Sequence, residues 1–187
     1  MQNGMRKKAV EIVRLCAEGN IEAALTSAHE YISMIDDEIR RAEDAAAAVE
    51  HMLEDDCVDD SVLLIRNQAA DTLNITSDTL RNWELNGLIK AKRRSNGYRV
   101  YNGADMRRLT IIRTLRCADY SLSAILRLMN SLYNGKDSAI SVSEILNTPS
   151  PDDEIISVCD RLLVSLKSTR NDAESMVSQL CGMKTSE

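Results

Sequence analysis

The sequence predicts a mainly α protein: a winged helix-turn-helix with a small β-hairpin wing, flanked by long heptad-patterned helices. Three observations carry that expectation. Aromatic residues make up only 3% of the 187 residues, with no Phe, one Trp and two Pro. A core without rings falls to Leu, Ile, Val, Ala and Met, the residues of packed helices. Apolar residues recur every seventh position towards both ends, and between them two short helical patterns run into a cationic Asn-Gly hairpin.

The charge is distributed unevenly. Residues 1–60 hold 6 Lys and Arg against 15 Asp and Glu, residues 61–130 hold 12 against 5, and residues 131–187 hold 5 against 9. A basic middle between acidic ends concentrates a positive field in one segment, which suits a polyanionic partner.

The N-terminal arm, residues 1–58, carries Leu25, Ile32, Ile39, Ala46 and Leu53 seven apart, with Ala28, Ile35, Ala42 and Val49 between them. That is one heptad helix. Its stretch AEDAAAAVEH permits close helix approach and predicts an interface rather than a linker. The acidic DDCVDDS (55–61) marks the boundary of the arm.

The second domain spans residues 59–135. Val62, Leu63, Leu64 and Ile65 lead into Ala69, Ala70 and Leu73 at helical spacing. NIT (74–76) interrupts; Thr76 or Ser77 caps a second helix, which Gly87 ends as the glycine after the cap. The run LIKAKRRSNGYRVY alternates, turns at Asn96-Gly97 and returns through Tyr98, Val100 and Tyr101. Asn-Gly between β-capable residues is a strong hairpin signal. Two strands carrying Lys90, Lys92, Arg93, Arg94 and Arg99 make a poor core but a good surface for a phosphate backbone. Asn102 then caps a helix with Asp105 in its first turn and Met106, Leu109, Ile112 and Leu115 inward. Ser121 caps the next, with Leu122, Ile125, Leu126 and Met129 facing the core. The third segment is residues 150–182; after NTPSPDD, residues 154–181 read as one helix with Ile156, Cys159, Leu163, Leu166, Ala173, Val177 and Leu180 on a seam that Arg170 interrupts.

The middle segment resembles the MerR family of bacterial transcription regulators. TLRNWELNGLI, GYRVY, DMRRL and SLSAI stand, in order, where the family has TLRYYE-x-x-GL, GYR-x-Y, D-x-x-x-L and SL-x-x-I, over roughly residues 62–132. Asn82-Trp83 replaces the family's paired tyrosines; Trp83 fills the core role of the second ring. Asn82 either touches phosphate through a shorter group or reads a base, since Asn pairs well with adenine. The resemblance implies a second helix in the major groove, with Thr79 and Arg81 near bases or phosphates and Ser77, Asp78 and Asn82 beside them. It implies wing contacts from Tyr98, Arg99 and Tyr101, supported by Arg93 and Arg94, and phosphate contacts from Arg107 and Arg108. It also implies that the C-terminal helix pairs antiparallel with that of a second subunit, a homodimer that matches a two-fold pseudo-palindrome.

A shift of 131 residues lays Leu25 on Ile156, Ile35 on Leu166, Ala42-Glu43 on Ala173-Glu174 and Val49 on Leu180, and EIVRLCAEGN (11–20) echoes AILRLMNSLYNG (124–135). Two readings stand. Residues 1–58 are the tail of a preceding MerR-like module, or an amphipathic helix that coincides with one.

The resulting expectation is a sequence-specific DNA-binding regulator that acts as a dimer or pseudo-dimer on double-stranded promoter DNA, distorts it, and works with RNA polymerase. A cytoplasmic location follows from the absence of a signal sequence and of any apolar run near the ~18 residues of a membrane span. No enzyme is expected, for no nucleophile, phosphate-loop or metalloprotease pattern occurs. No cofactor, metal or effector domain is expected either. Cys16, Cys57, Cys117, Cys159 and Cys181 are scattered and lack C-x-x-C spacing, so they read as buried thiols. His29 and His51 lack ligand partners and read as surface residues. The competing classes are a protein-interaction scaffold that works through the acidic N-terminal helices, and an architectural or excisionase-like DNA-bending protein.

Overall fold

The computed structural model describes residues 2–54, 63–94, 97–134, 141–148 and 161–184. The elements run α1 (Gln2–Ala17), α2 (Ile21–Glu54), β1 (Leu64–Ile65), α3 (Arg66–Thr72), α4 (Ser77–Leu85), β2 (Lys92–Arg93), β3 (Arg99–Tyr101), α5 (Gly103–Cys117), α6 (Leu122–Asn134), α7 (Val142–Asn147) and α8 (Leu162–Lys184). The mainly α expectation holds, with one small antiparallel sheet in strand order β1-β3-β2. Cys57, Ser95, Asn96, Ile156 and Cys159 lie outside the described residues, as do the DDCVDDS boundary and most of NTPSPDD. Among the described residues no helix is long and apolar enough to cross a membrane.

The chain forms two compact units, Met1–Arg41 with Leu163–Glu187, and Ala42–Leu162. The long helix α2 runs through both.

In the first unit α1 folds back on α2 at Gly19, whose φ of +73° lies in the left-handed region that glycine enters without a Cβ clash. Asn20 then accepts the amide of Ala23 through its side chain at 3.2 Å, closing the first turn of α2. Ile12, Ala24, Ala28 and Leu180 form the buried core, with Leu15, Cys16, Met176 and Val177 against them. Two ion pairs set the direction of α8 on α2: Lys184 to Glu22 at 3.2 Å and Arg170 to Asp36 at 2.6 Å. The helices are therefore antiparallel, and Arg170, the break in the heptad, meets an acid on the facing helix. Exposed ion pairs stabilise by at most about 1 kcal/mol, so burial holds this seam and the charges fix its register.

The second unit is built on the later part of α2. Ala42, Ala45, Ala46 and Val49 are buried, as the alanine-rich stretch predicts. Three polar ties anchor that stretch. The Tyr120 hydroxyl donates to the Ala42 carbonyl at 3.1 Å, Arg107 Nε donates to the Met52 carbonyl at 2.9 Å, and the Val142 amide donates to Glu50 at 3.1 Å. Burial pushes the Tyr120 phenol up to about 12, because the phenolate would lose its hydration.

Two local expectations need correction. Leu64 and Ile65, read as the start of a helix, form a strand that pairs antiparallel with Tyr101 and Val100. Ile65 sits extended at φ −79°, ψ 165°, as the residue before α3, and its amide donates to the Gln68 side chain at 3.1 Å. A β-branched residue beside an unpaired edge of β3 gains a hydrogen-bonded partner that the helix start does not offer. The other correction concerns the thiols: Cys16 is half-buried, but Cys117 and Cys181 are exposed. His29 and His51 are exposed, as expected.

Candidate nucleic-acid interface

The turn between α3 and α4 is fixed by side chains. Thr76, not Ser77, is the cap: its hydroxyl oxygen accepts the Thr79 amide at 3.0 Å and shares a 2.8 Å bond with the Thr79 hydroxyl. Ser77 instead donates to Asn67 Oδ1 at 2.9 Å, tying the first turn of α4 to α3. At the other end Gly87 follows the cap residue Asn86 with φ +75°, where a Cβ would strain the backbone. Helical spacing then divides α4. Leu80 and Trp83 point inward, Trp83 only 4% exposed, while Asp78, Arg81 and Asn82 are exposed. Trp83 thus occupies the core position expected of it. The Asn82 amide oxygen accepts from Asn86 Nδ2 at 2.6 Å, which orients it on the outer face.

The wing follows the expected hairpin. Lys92 pairs with Val100 and Arg93 with Arg99, and the Arg94 amide donates to the Tyr98 carbonyl at 2.9 Å. Gly97 has φ +80°, the conformation the hairpin turn requires. Lys92, Arg93 and Arg94 are exposed, and Tyr98 is 66% exposed beside them. Val100 and Tyr101 turn inward. The buried residues of the hairpin are on β3, and the exposed cations are on β2 and towards the turn.

Helix α4 and the wing are joined by Glu84, whose side chain is only 5% exposed. Its carboxylate accepts from the Tyr101 hydroxyl, from Arg66 Nη2 at 2.8 Å and pairs with Arg99 Nε at 3.2 Å. Burial first, and then the neighbouring Glu84, push the Tyr101 phenol up to about 12.

Four of the expected contact residues are therefore engaged inside the fold. Tyr101 is fully buried, so it holds the wing rather than lying on the surface. Arg99 neutralises Glu84. Arg107 is bound to the Met52 carbonyl of α2. Arg108 pairs with Asp105 at 3.7 Å and lies 4.3 Å over the Tyr133 ring. In each case α2, α4 or α6 supplies a partner that spacing within the segment cannot display. Asp78, Arg81, Asn82, Arg93, Arg94 and Tyr98 are exposed on α4 and the wing, while Ser77 and Thr79 are half-buried and bonded to Asn67 and Thr76.

Two residues were missed from the sequence. Arg113 and Arg116 of α5 line one groove with Thr76, Asp78, Thr79 and Asn82. Their i, i+3 spacing was a legible signal, but only the packing of α5 beside α4 turns it towards the same groove. Among the described residues no group of His, Cys, Asp and Glu could hold a metal ion.

A capped helix-turn-helix, a three-stranded wing and two following helices define a winged helix-turn-helix domain. Residues 67–132 match the family model described as MerR HTH family regulatory protein. The chain is 35% identical over 79 residues to a protein of Haemophilus influenzae named as an HTH-type transcriptional regulator ZntR homolog. That match covers 42% of this chain and 58% of the relative's length. Among solved structures, one of HiNmlR, described as a MerR family regulator lacking the sensor domain and bound to promoter DNA, aligns over 66% of this chain and 77% of its own. That alignment has 19% identity and a TM-score of 0.39.

Proposed function

We propose that the protein is a sequence-specific DNA-binding transcription regulator of MerR type. One observation carries the reading: the exposed face of α4, with Arg81 and Asn82, stands on a domain that matches the MerR family model and whose wing turns Lys92, Arg93 and Arg94 to solvent. A helix N-terminal half of this kind fits the major groove, and a cationic hairpin fits the flanking phosphates. The relative's name, a transcriptional regulator, points the same way.

In this mechanism Ser77, Asp78, Thr79, Arg81 and Asn82 approach the groove, with Asn82 as the candidate base reader. Arg93, Arg94 and Tyr98 lie along the backbone, and Arg113 and Arg116 add positive charge beside α4. Arg99 and Tyr101 contribute by holding the wing through Glu84. The protein binds promoter DNA as a dimer or pseudo-dimer, and regulation through RNA polymerase follows from distortion of the duplex, whose energy depends on its sequence.

The test is selection from a random duplex pool, then affinity of the winner and of a scrambled duplex at low and moderate salt. Enrichment of a defined motif, bound well above the scramble and with a steep salt dependence, is the expected result. No enrichment, with weak binding that salt abolishes, would replace this reading by the interaction scaffold acting through the acidic helices.

A further inference from the structure

The seam of α8 is already covered within its own chain. Lys184 meets Glu22 and Arg170 meets Asp36, so 14 positions along α2 correspond to 14 positions back along α8. Leu180 falls in the same register, closing on Ala24, Ala28 and Ile12. The buried residues of α8 are Leu163, Ala173 and Leu180, the heptad positions that a second subunit would otherwise cover. Its exposed large apolar side chains are Val164 and Met183, 19 residues apart, while Leu162, Leu166, Met176 and Val177 are half-buried.

The packing also repeats. A shift of 131 places Ala42, Ala45, Ala46 and Val49 of α2 on Ala173, Met176, Val177 and Leu180 of α8. The first four are buried in the second unit; the last three of the other set pack on the core of the first. A shift of 113 places Ile12, Leu15 and Cys16 of α1 on Ile125, Leu128 and Met129 of α6. Ile12 and Ile125 are both fully buried. So Met176, Val177 and Leu180 of α8, which pack with Ile12 of α1, correspond to Ala45, Ala46 and Val49, which α2 buries in the second unit; all are apolar and none is identical. In the register that the two ion pairs set, Asp37 and Glu38 at the midpoint of α2 fall opposite about Thr169 and Ser168.

We propose that α2 and α8 are the two arms of a pseudo-dimer closed within one chain, so that a single copy presents one winged head to DNA. The ligand is then one asymmetric half-site of duplex, not a palindrome. This rests on the DNA-binding reading above for its ligand, but the closure of the seam does not.

The first measurement is the mass of the full chain in solution by light scattering over a range of concentrations. A mass near 20.8 kDa throughout is expected, and twice that value would overturn the closure. A second measurement mixes Asp36→Arg and Arg170→Glu copies. Pairing between copies would restore opposite charges only in a heterodimer, and recovery of one would likewise overturn the proposal. The double variant Asp36→Arg with Arg170→Glu in one chain is expected to melt within a degree or two of the parent, while either single variant melts lower. On the selected duplex, one protein per site and a motif without two-fold symmetry are expected. A palindrome binding two copies cooperatively would overturn the half-site. A pool with no enrichment would sink the DNA reading and the half-site together, with the solution mass still deciding the closure.

Discussion

The phenol of Tyr101, the last residue of the wing, donates its hydrogen bond to the carboxylate of Glu84 in α4. Wing and outward-facing helix are therefore one mechanical piece, and the two arginines that complete the cluster, Arg66 and Arg99, reach it from α3 and β3. A protein whose contacts with a duplex come from both elements gains from having them pre-set, because less ordering is left to occur on binding.

Glu84→Ala should be the most damaging single change in the winged domain. It leaves two guanidinium groups facing each other and a buried phenol without its acceptor. Removing one member of a buried charge cluster costs about 3–5 kcal/mol, and partial exposure of both arginines reduces this to roughly 2–3 kcal/mol. Urea unfolding should show a lower midpoint at unchanged slope. A loss below about 0.5 kcal/mol would mean that water replaces the carboxylate at little cost.

Stability should also fall at high pH. Tyr101 and Tyr120 ionise at about 12 in the fold, against 10.0 for an unperturbed phenol, because burial opposes the phenolate. A folded pKa above the unfolded one means that the folded state holds its protons longer. Their contribution is complete below pH 10 and is lost as the pH rises to 12. Circular dichroism and phenolate absorbance, followed together, should show helix loss over that window. Tyr101→Phe with Tyr120→Phe should weaken the pH dependence.

The cap of α5 offers a smaller, local test. Asn102 accepts the Asp105 amide at 2.9 Å while Asp105 accepts the Asn102 amide at 3.2 Å. Asn102→Ala removes the side-chain acceptor of the Asp105 amide, keeps the backbone amide that donates to Asp105, and should cost about 1 kcal/mol, read as a lower melting temperature. An unchanged melt would show that α5 is held by its buried face alone.

Arg81→Ala and Arg107→Ala should separate binding from stability. Arg81 is exposed on α4, so its loss should leave unfolding within about 0.5 kcal/mol of the parent while weakening duplex binding and lowering the salt slope by about one. Arg107 is spent on the Met52 carbonyl, so its loss should destabilise by about 1–3 kcal/mol. The reverse pattern in paired affinity and urea measurements would return Arg107 to the interface and remove Arg81 from it.

Local rules in the sequence determined the elements of the winged domain. Thr76, Gly87, Asn102 and Ser121 mark helix ends because caps and left-handed residues act within a few positions of themselves. The cationic hairpin, the inward Trp83 and the seams of α2 and α8 follow from periodicities of two, 3.6 and seven, which any reader of the chain can count. What only the tertiary structure decided is the use of each charged or polar side chain, and the partner of each seam. Arg107 and Tyr101 look like surface contacts until α2 and Glu84 are brought beside them. Leu64 and Ile65 become a strand because β3 offers an open edge. A heptad states that a helix needs a partner and leaves open which one; here α8 found α2 of its own chain, with Asp36 and Glu22 standing where Arg170 and Lys184 require them.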